Sequence, residues 1–213
     1  MLGRHAVRRP YGISNSIDLP GSPFILFPIS LHSSRETMMA ESSSISPIDG
    51  RICIGHVHLK VSDLDRALMF YSGILGFEVT QRMGTSAAFL SAGGYHHHIG
   101  LNTWESRGGS PPADGTTRLY HVAIRYPTRA ALADALRRLI AAGVSLEGAS
   151  DHGVSEALYL RDPDQIGLEL YWDRPEPEWP RTAEGQINMY TRRLDLEELL
   201  KEAPQGSPVD ERP

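Results

Sequence analysis

The chain has one cysteine, Cys53, so no intramolecular disulfide forms and no paired-cysteine zinc or redox motif exists. A reducing, cytoplasmic setting is the expectation that follows. Long apolar runs are missing as well. The longest, Phe24-Ile25-Leu26-Phe27-Pro28-Ile29, falls far short of the roughly 20 apolar residues a bilayer span needs, so no membrane segment is expected. Nor is there an excess of positive charge: 21 Lys and Arg stand against 26 Asp and Glu, a net charge of −5, which argues against a nucleic-acid surface. No Gly-x-Gly-x-x-Gly, phosphate-binding loop or His-Glu-x-x-His motif is present, which removes dinucleotide, nucleoside-triphosphate and zinc-peptidase readings. What the chain does have is nine histidines in 213 residues, and their placement carries the argument.

Residues 1–50 differ from the rest. They are rich in Ser, Pro and Arg, Asp18 is the only acid before Glu36, and the apolar residues keep no period. The composition reads as a disordered or loosely attached extension. Arg4, Arg8 and Arg9 among scattered serines also fit an organellar targeting segment, and a start of translation at Met38 or Met39 is the alternative.

From Arg51 a pattern sets in. Ile54 to Val61 alternates like a half-buried strand. Ser62 stands as an N-cap with Asp65 in the first turn. Leu64, Leu68, Tyr71 and Leu75 follow at helical spacing, and Gly76 closes the helix. Strands are expected near Phe77–Arg82, Ala87–Ser91 and His96–Trp104. The series then repeats. Leu119 to Tyr126 alternates, a helix from Thr128 carries Leu132, Leu136, Leu139 and Ile140 to a stop at Gly143, and strands are expected at Val144–Gly148, Ala157–Arg161 and Ile166–Trp172. The offset is 65 residues from His56 to His121, 66 from Ser62 to Thr128, and 67 from Gly76 to Gly143 and from Asn102 to Glu169. This is an internal duplication. The expected fold is α+β: two tandem βαβββ modules, about 52–104 and 118–173, in a domain of residues 51–175, forming a cupped mixed sheet around a metal site. Residues 176–213 form a Pro-rich, charged C-terminal arm with a short amphipathic helix at about Arg193–Glu202.

Side chains alternate faces along a strand. If Val57, Leu59 and Val61 pack under the helix, His56, His58 and Lys60 face the cup. By the same alternation His121, Ala123 and Arg125 face it from the second module, as do Gly167, Glu169 and Tyr171 from its last strand. The duplication predicts four equivalent cup positions: His56, Asn102, His121 and Glu169. Three are ligand-grade side chains and the fourth is an amide. Two imidazoles and a carboxylate from separate strands make the facial triad that suits Fe(II), with Mn(II) an open alternative.

The runs His56-Val57-His58-Leu59-Lys60-Val61-Ser62-Asp63-Leu64, Tyr120-His121-Val122-Ala123 and Asp162-Pro163-Asp164 through Glu169 resemble the vicinal oxygen chelate superfamily of glyoxalases, bleomycin-binding proteins, thiol transferases and type I extradiol dioxygenases. The resemblance covers about residues 52–175. Within that superfamily His96 to Trp104 and Asp151 to Leu160 look most like catechol 2,3-dioxygenases. The resemblance implies His56, His121 and Glu169 as iron ligands, Tyr159 as the hydroxyl that holds a substrate oxygen, and His152 as a histidine at the substrate end. It also implies an acid–base histidine between the first two ligands. Strand parity with Asn102 selects His98 for this role, with His97 pointing away; a one-residue change of register would exchange His96, His97 and His98.

The activity so implied is Fe(II)-dependent cleavage of a catechol beside its diol by O2, giving a 2-hydroxymuconic semialdehyde-type product. A dimer or tetramer is expected, because open sheets and an amphipathic arm seek partners. Two other readings stay open: a metal-dependent thiol transferase or resistance enzyme, and a metal-free protein that binds an aromatic drug. Against the first stands His98 with Tyr159, and against the second the intact triad.

Overall fold

A computed structural model gives the fold and describes residues 46–204. The expected extension of residues 1–50, with its targeting reading, falls almost wholly outside the described residues, as do residues 205–213. Everything below belongs to the unit that begins at Arg51.

The first module opens with β1 (Val57–Lys60) and α1 (Leu64–Leu68). Leu59 and Val61 are buried in the core while His58 and Lys60 are exposed, as the alternation demands. The helix cap is Asp63 rather than Ser62: its carboxylate accepts from the Arg66 backbone N–H at 3.0 Å. Ser62 is used elsewhere, its N–H and Oγ–H both donating to Asp164 of the second module. The helix widens into a π-turn over Met69–Ile74, which lets the adjacent Phe70 and Tyr71 both bury, and Gly76 ends it at φ +90°. The strands β2 (Glu78–Met83), β3 (Ala87–Ser91) and β4 (Ile99–Asn102) complete a sheet of order β1-β4-β3-β2, with β1 and β4 parallel.

The second module repeats the plan with β5 (Val122–Arg125), α2 (Arg129–Ala141), β6 (Leu146–Asp151), β7 (Ser155–Arg161) and β8 (Gly167–Asp173). Thr128 caps α2, its Oγ accepting from the Ala131 N–H at 3.1 Å. The arm adds α3 (Leu196–Leu200) and a two-residue strand β9 (Arg192–Arg193), so this sheet has the order β5-β8-β7-β6-β9. Even an irregularity is duplicated: the β2–β3 ladder skips Thr80 and the β6–β7 ladder skips Glu147, positions 67 apart.

Leu64, Phe70, Leu90, Leu101, Leu132, Leu136, Leu139, Leu158, Leu168 and Leu170 belong to one buried cluster fed by both modules. The Asp162-Pro163-Asp164 turn ties them further. Asp162 accepts from the Tyr71 hydroxyl at 3.0 Å, and Asp164 pairs with Arg66 at 2.6 Å. Helices and core take one face of each sheet, which leaves the other face for the cup. Among the described residues no helix is long and apolar enough to cross a membrane.

The copies are not in step. In the first module His58 lies opposite Gly100 and Lys60 opposite Asn102. In the second, Ala123 lies opposite Glu169 and Arg125 opposite Tyr171. Strict repetition of the sequence offsets would place Ala123 against Gly167, so the first strand has slipped by two residues between modules. An even slip keeps every side chain on its face.

Candidate active site

On the cup face of the second module, four of the residues singled out from sequence form one hydrogen-bonded chain. His121, just before β5, places Nε2 3.0 Å from Glu169 Oε2. Tyr159 and Glu169 are direct cross-strand partners on β7 and β8, and the phenol donates to Glu169 Oε1 at 3.0 Å. The Tyr159 oxygen lies 2.8 Å from Nε2 of His152, which follows β6. His152 Nδ1 in turn is 3.2 Å from the Tyr190 carbonyl and 3.2 Å from Thr191 Oγ. Burial, the Glu169 charge and the hydrogen bond to it push the Tyr159 hydroxyl up to about 12, so the phenol keeps its proton at neutral pH. The strand packing that sets this geometry depends on Gly167: a Cβ there would come within 2.1 Å of the Tyr120 carbonyl oxygen and 3.2 Å of His121 Cα.

The first module presents rings instead of a carboxylate. The His56 ring lies 4.4 Å from that of His97, which is 5.0 Å from Phe89. His58 packs beside Phe89 at 5.9 Å and Trp104 at 5.5 Å. Burial, then the neighbouring His56, holds His58 below the usual imidazole range. Burial and the imidazoles of His56, His96, His58 and His98 do the same for His97.

The expectation that His97 points away is overturned. β4 begins only at Ile99, so the alternation that governs Gly100 and Asn102 does not reach back through His96–His98, and His97 turns towards His56 and Phe89. His98 Nδ1 accepts from the Ala92 N–H at 3.3 Å and lies 3.2 Å from Ser91 Oγ. The fourth duplicated position is committed to the backbone, with Asn102 Oδ1 accepting from the Trp104 N–H at 3.2 Å.

His56, His98 and His121 line one cavity of about 700 Å³, shared with Ile54, Leu119 and Arg125. Among the described residues no three His, Cys, Asp or Glu side chains are already drawn together as a metal site: His121 and Glu169 touch, and His56 joins them only across this cavity. The donor set of two imidazoles and a carboxylate nonetheless fits a divalent first-row metal. Sequence reasoning missed Phe89, Tyr190 and Thr191, and it misjudged the direction of His97. Phe89 was within reach, since it alternates with the buried Ala88 and Leu90 on β3.

Two βαβββ units with a shared core and facing cup surfaces define a class, and the sequence matches its model: residues 53–170 fit the Glyoxalase/Bleomycin resistance protein/Dioxygenase superfamily, and the chain belongs to it. Two relatives narrow the likeness. The chain is 43% identical over 150 residues to a catechol-2,3-dioxygenase of Bacillus subtilis, covering 70% of this chain and 52% of that protein. It is 30% identical over 122 residues to biphenyl-2,3-diol 1,2-dioxygenase 3 of Rhodococcus globerulus, covering 56% of this chain and 63% of that one. The chain thus spans about half to two thirds of the length of these relatives. A crystal structure of a glyoxalase/dioxygenase from Nostoc punctiforme shares the fold, with a TM-score of 0.51 at 18% identity over 63% of this chain and all of that one.

Proposed function

We propose that the protein is an extradiol dioxygenase that opens catechol or a substituted catechol beside the diol. Both atoms of O2 enter the ring-opened product, a 2-hydroxymuconic semialdehyde, so atoms balance without a further reductant. The observation that carries this reading is the chain His121–Glu169–Tyr159–His152 on the cup face, set across a cavity from His56. The 43% identity to a catechol-2,3-dioxygenase supports the same choice of chemistry.

His56, His121 and Glu169 would hold a divalent metal, Fe(II) by preference and Mn(II) as the alternative. When bound, that metal supplies a Lewis-acidic, redox-active centre at which an ionised catechol and O2 meet. The chain's own side chains supply the rest. Tyr159, protonated at neutral pH, donates its O–H to a catechol oxygen lying beside Glu169 and so orients the ring. His152 backs the phenol and fixes its direction. An imidazole on the His56 side takes the catechol proton and returns it as the ring opens. His98, which lines the cavity with His56, is our choice for that role, and His97, in ring contact with His56 but with its Nδ1 2.7 Å from that of His96, is the alternative. Ile54 and Leu119 give the cavity an apolar side against which an aromatic ring can rest.

The experiment is anaerobic loading with Fe(II), or separately Mn(II), followed by catechol in air-saturated buffer. A yellow product with one O2 consumed per catechol is expected from the wild type and is expected to vanish in His56→Ala and Glu169→Ala. Comparison of His97→Asn with His98→Asn then decides the acid–base residue. A metal-loaded protein that cleaves none of a panel of substituted catechols would overturn the reading.

A further inference from the structure

The C-terminal arm lies beyond the residues matched by the superfamily, yet it reaches the site. Its backbone follows the outer edge of the second module. The Tyr190 N–H donates to the His152 carbonyl at 3.3 Å, Arg192 and Arg193 pair with Asp151 and Ser150, and the Leu194 N–H donates to the Ala149 carbonyl at 3.3 Å. Leu194 and Leu199 anchor this path in the core, at 5% and 0% exposure. The turn that carries His152 is shaped to receive it. Gly153 has φ +79°, and a Cβ there would sit 2.7 Å from the Tyr190 ring and 2.8 Å from Pro180.

Proton accounting assigns a task to this contact. A carboxylate can only accept, so the Tyr159 O–H that reaches Glu169 leaves its oxygen free only to accept from His152. His152 Nε2 must then carry a proton, and in the neutral imidazole that leaves Nδ1 bare. Two arm atoms lie 3.2 Å from Nδ1, and only one of them can serve a bare nitrogen: the Thr191 hydroxyl can donate to it, whereas the Tyr190 carbonyl can accept only from a protonated one. We propose that Thr191 is a positioning residue, whose hydroxyl holds His152 in the Nε2–H tautomer and thereby keeps the Tyr159 proton pointed to the Glu169 side, where the proposed substrate oxygen would receive it. Without that hydroxyl, Nδ1 takes the proton for Tyr190, Nε2 becomes an acceptor, and the phenol turns its proton away from Glu169.

The test uses the full chain with Thr191→Val and Thr191→Ser. Thr191 is exposed on an edge, and a β-branched valine keeps its shape, so both variants are expected to melt with the wild type. ¹⁵N NMR of the metal-free protein, with the His152 signals identified by their loss in His152→Gln, reads the tautomer directly. Wild type and Thr191→Ser are expected to show a pyridine-type Nδ1 and Thr191→Val a pyrrole-type one. The kinetic arm rests on the proposed function: turnover of metal-loaded Thr191→Val is expected to fall about tenfold with KM within about twofold, as for a partner standing behind a ligand, and Thr191→Ser to recover it. A Thr191→Val protein with the wild-type tautomer or the wild-type turnover would overturn the proposal. A tautomer change in a protein whose wild type cleaves no catechol would uphold Thr191's role while sinking the dioxygenase reading.

Discussion

The two modules share a plan and differ in what their cup faces can hold. The second carries a carboxylate backed by a phenol and an imidazole, each within 3.0 Å of the next. The first carries packed rings of His56, His58, Phe89, His97 and Trp104, and its strand acid position is the amide of Asn102, turned to its own backbone. One copy is therefore suited to hold a cation and the other to line the space beside it. The edges differ as well. The outer strand of the second sheet is covered by β9, whereas β2 has no further strand beside it among the described residues and leaves Val79 and Met83 exposed at 41% and 46%.

Exchange across this comparison gives its sharpest test. Glu169→Ala is expected to lower metal occupancy to background and turnover by more than about 100-fold, beyond the range for outer partners, whereas Asn102→Ala at the duplicated position leaves metal stoichiometry unchanged; metal analysis of the dialysed proteins reads both. The duplicated glycines come next. Gly167→Ala drives a methyl into the Tyr120 backbone oxygen, while Gly100→Ala meets only the His58 ring at 2.9 Å, which can swing aside. Urea unfolding is expected to show a loss of about 3 kcal/mol or more for Gly167→Ala and about 1 kcal/mol for Gly100→Ala. Equal losses would mean that the register slip does not matter.

Tyr159→Phe removes the donor to Glu169 without altering the ring, and turnover is expected to fall about 10- to 100-fold with the melting temperature kept; the phenylalanine with wild-type turnover would break the chain at its centre. The smallest effect lies at the edge of the second module. Burial alone would raise Asp151, but hydrogen bonds from Arg174 and the Gly153 N–H, with the Arg174 charge, outweigh it and hold the carboxyl below its ordinary value. A depressed acid stabilises the fold above its unfolded pKa and loses that contribution as pH falls through the folded one. Asp151→Asn is therefore expected to cost less than about 1 kcal/mol at neutral pH and to flatten the stability decline below about pH 4, read from melts between pH 2.5 and 7 (a range of about four units spanning the carboxylate pKa).

Much of this was legible from alternation alone. Val57, Leu59 and Val61 against His56, His58 and Lys60, and Leu168 and Leu170 against Glu169, define the two faces, and a buried sheet face tolerates no odd slip. The drift of the offset from 65 to 67 already signalled that the copies were out of step, though side-chain pattern cannot tell which strand slides, because a two-residue move leaves every face unchanged. The direction of His97 escaped because the residue precedes the strand whose parity was used to orient it. Asp63 displaced Ser62 as the cap because Ser62 had a partner about 100 positions away, which no local rule contains. The strand at Arg192–Arg193 pairs through its backbone and has no apolar alternation to announce it.

The joint ownership of the core has a consequence for how the molecule comes apart. Neither βαβββ half covers its own leucines, since residues from both enter one cluster and the Arg66–Asp164 pair bolts them at the rim. Cooperative loss of structure in a single transition follows, rather than stepwise melting of two halves. A chain cut within the linker at Glu105–Thr117 would yield two sticky fragments that are insoluble apart and recover the fold when expressed together.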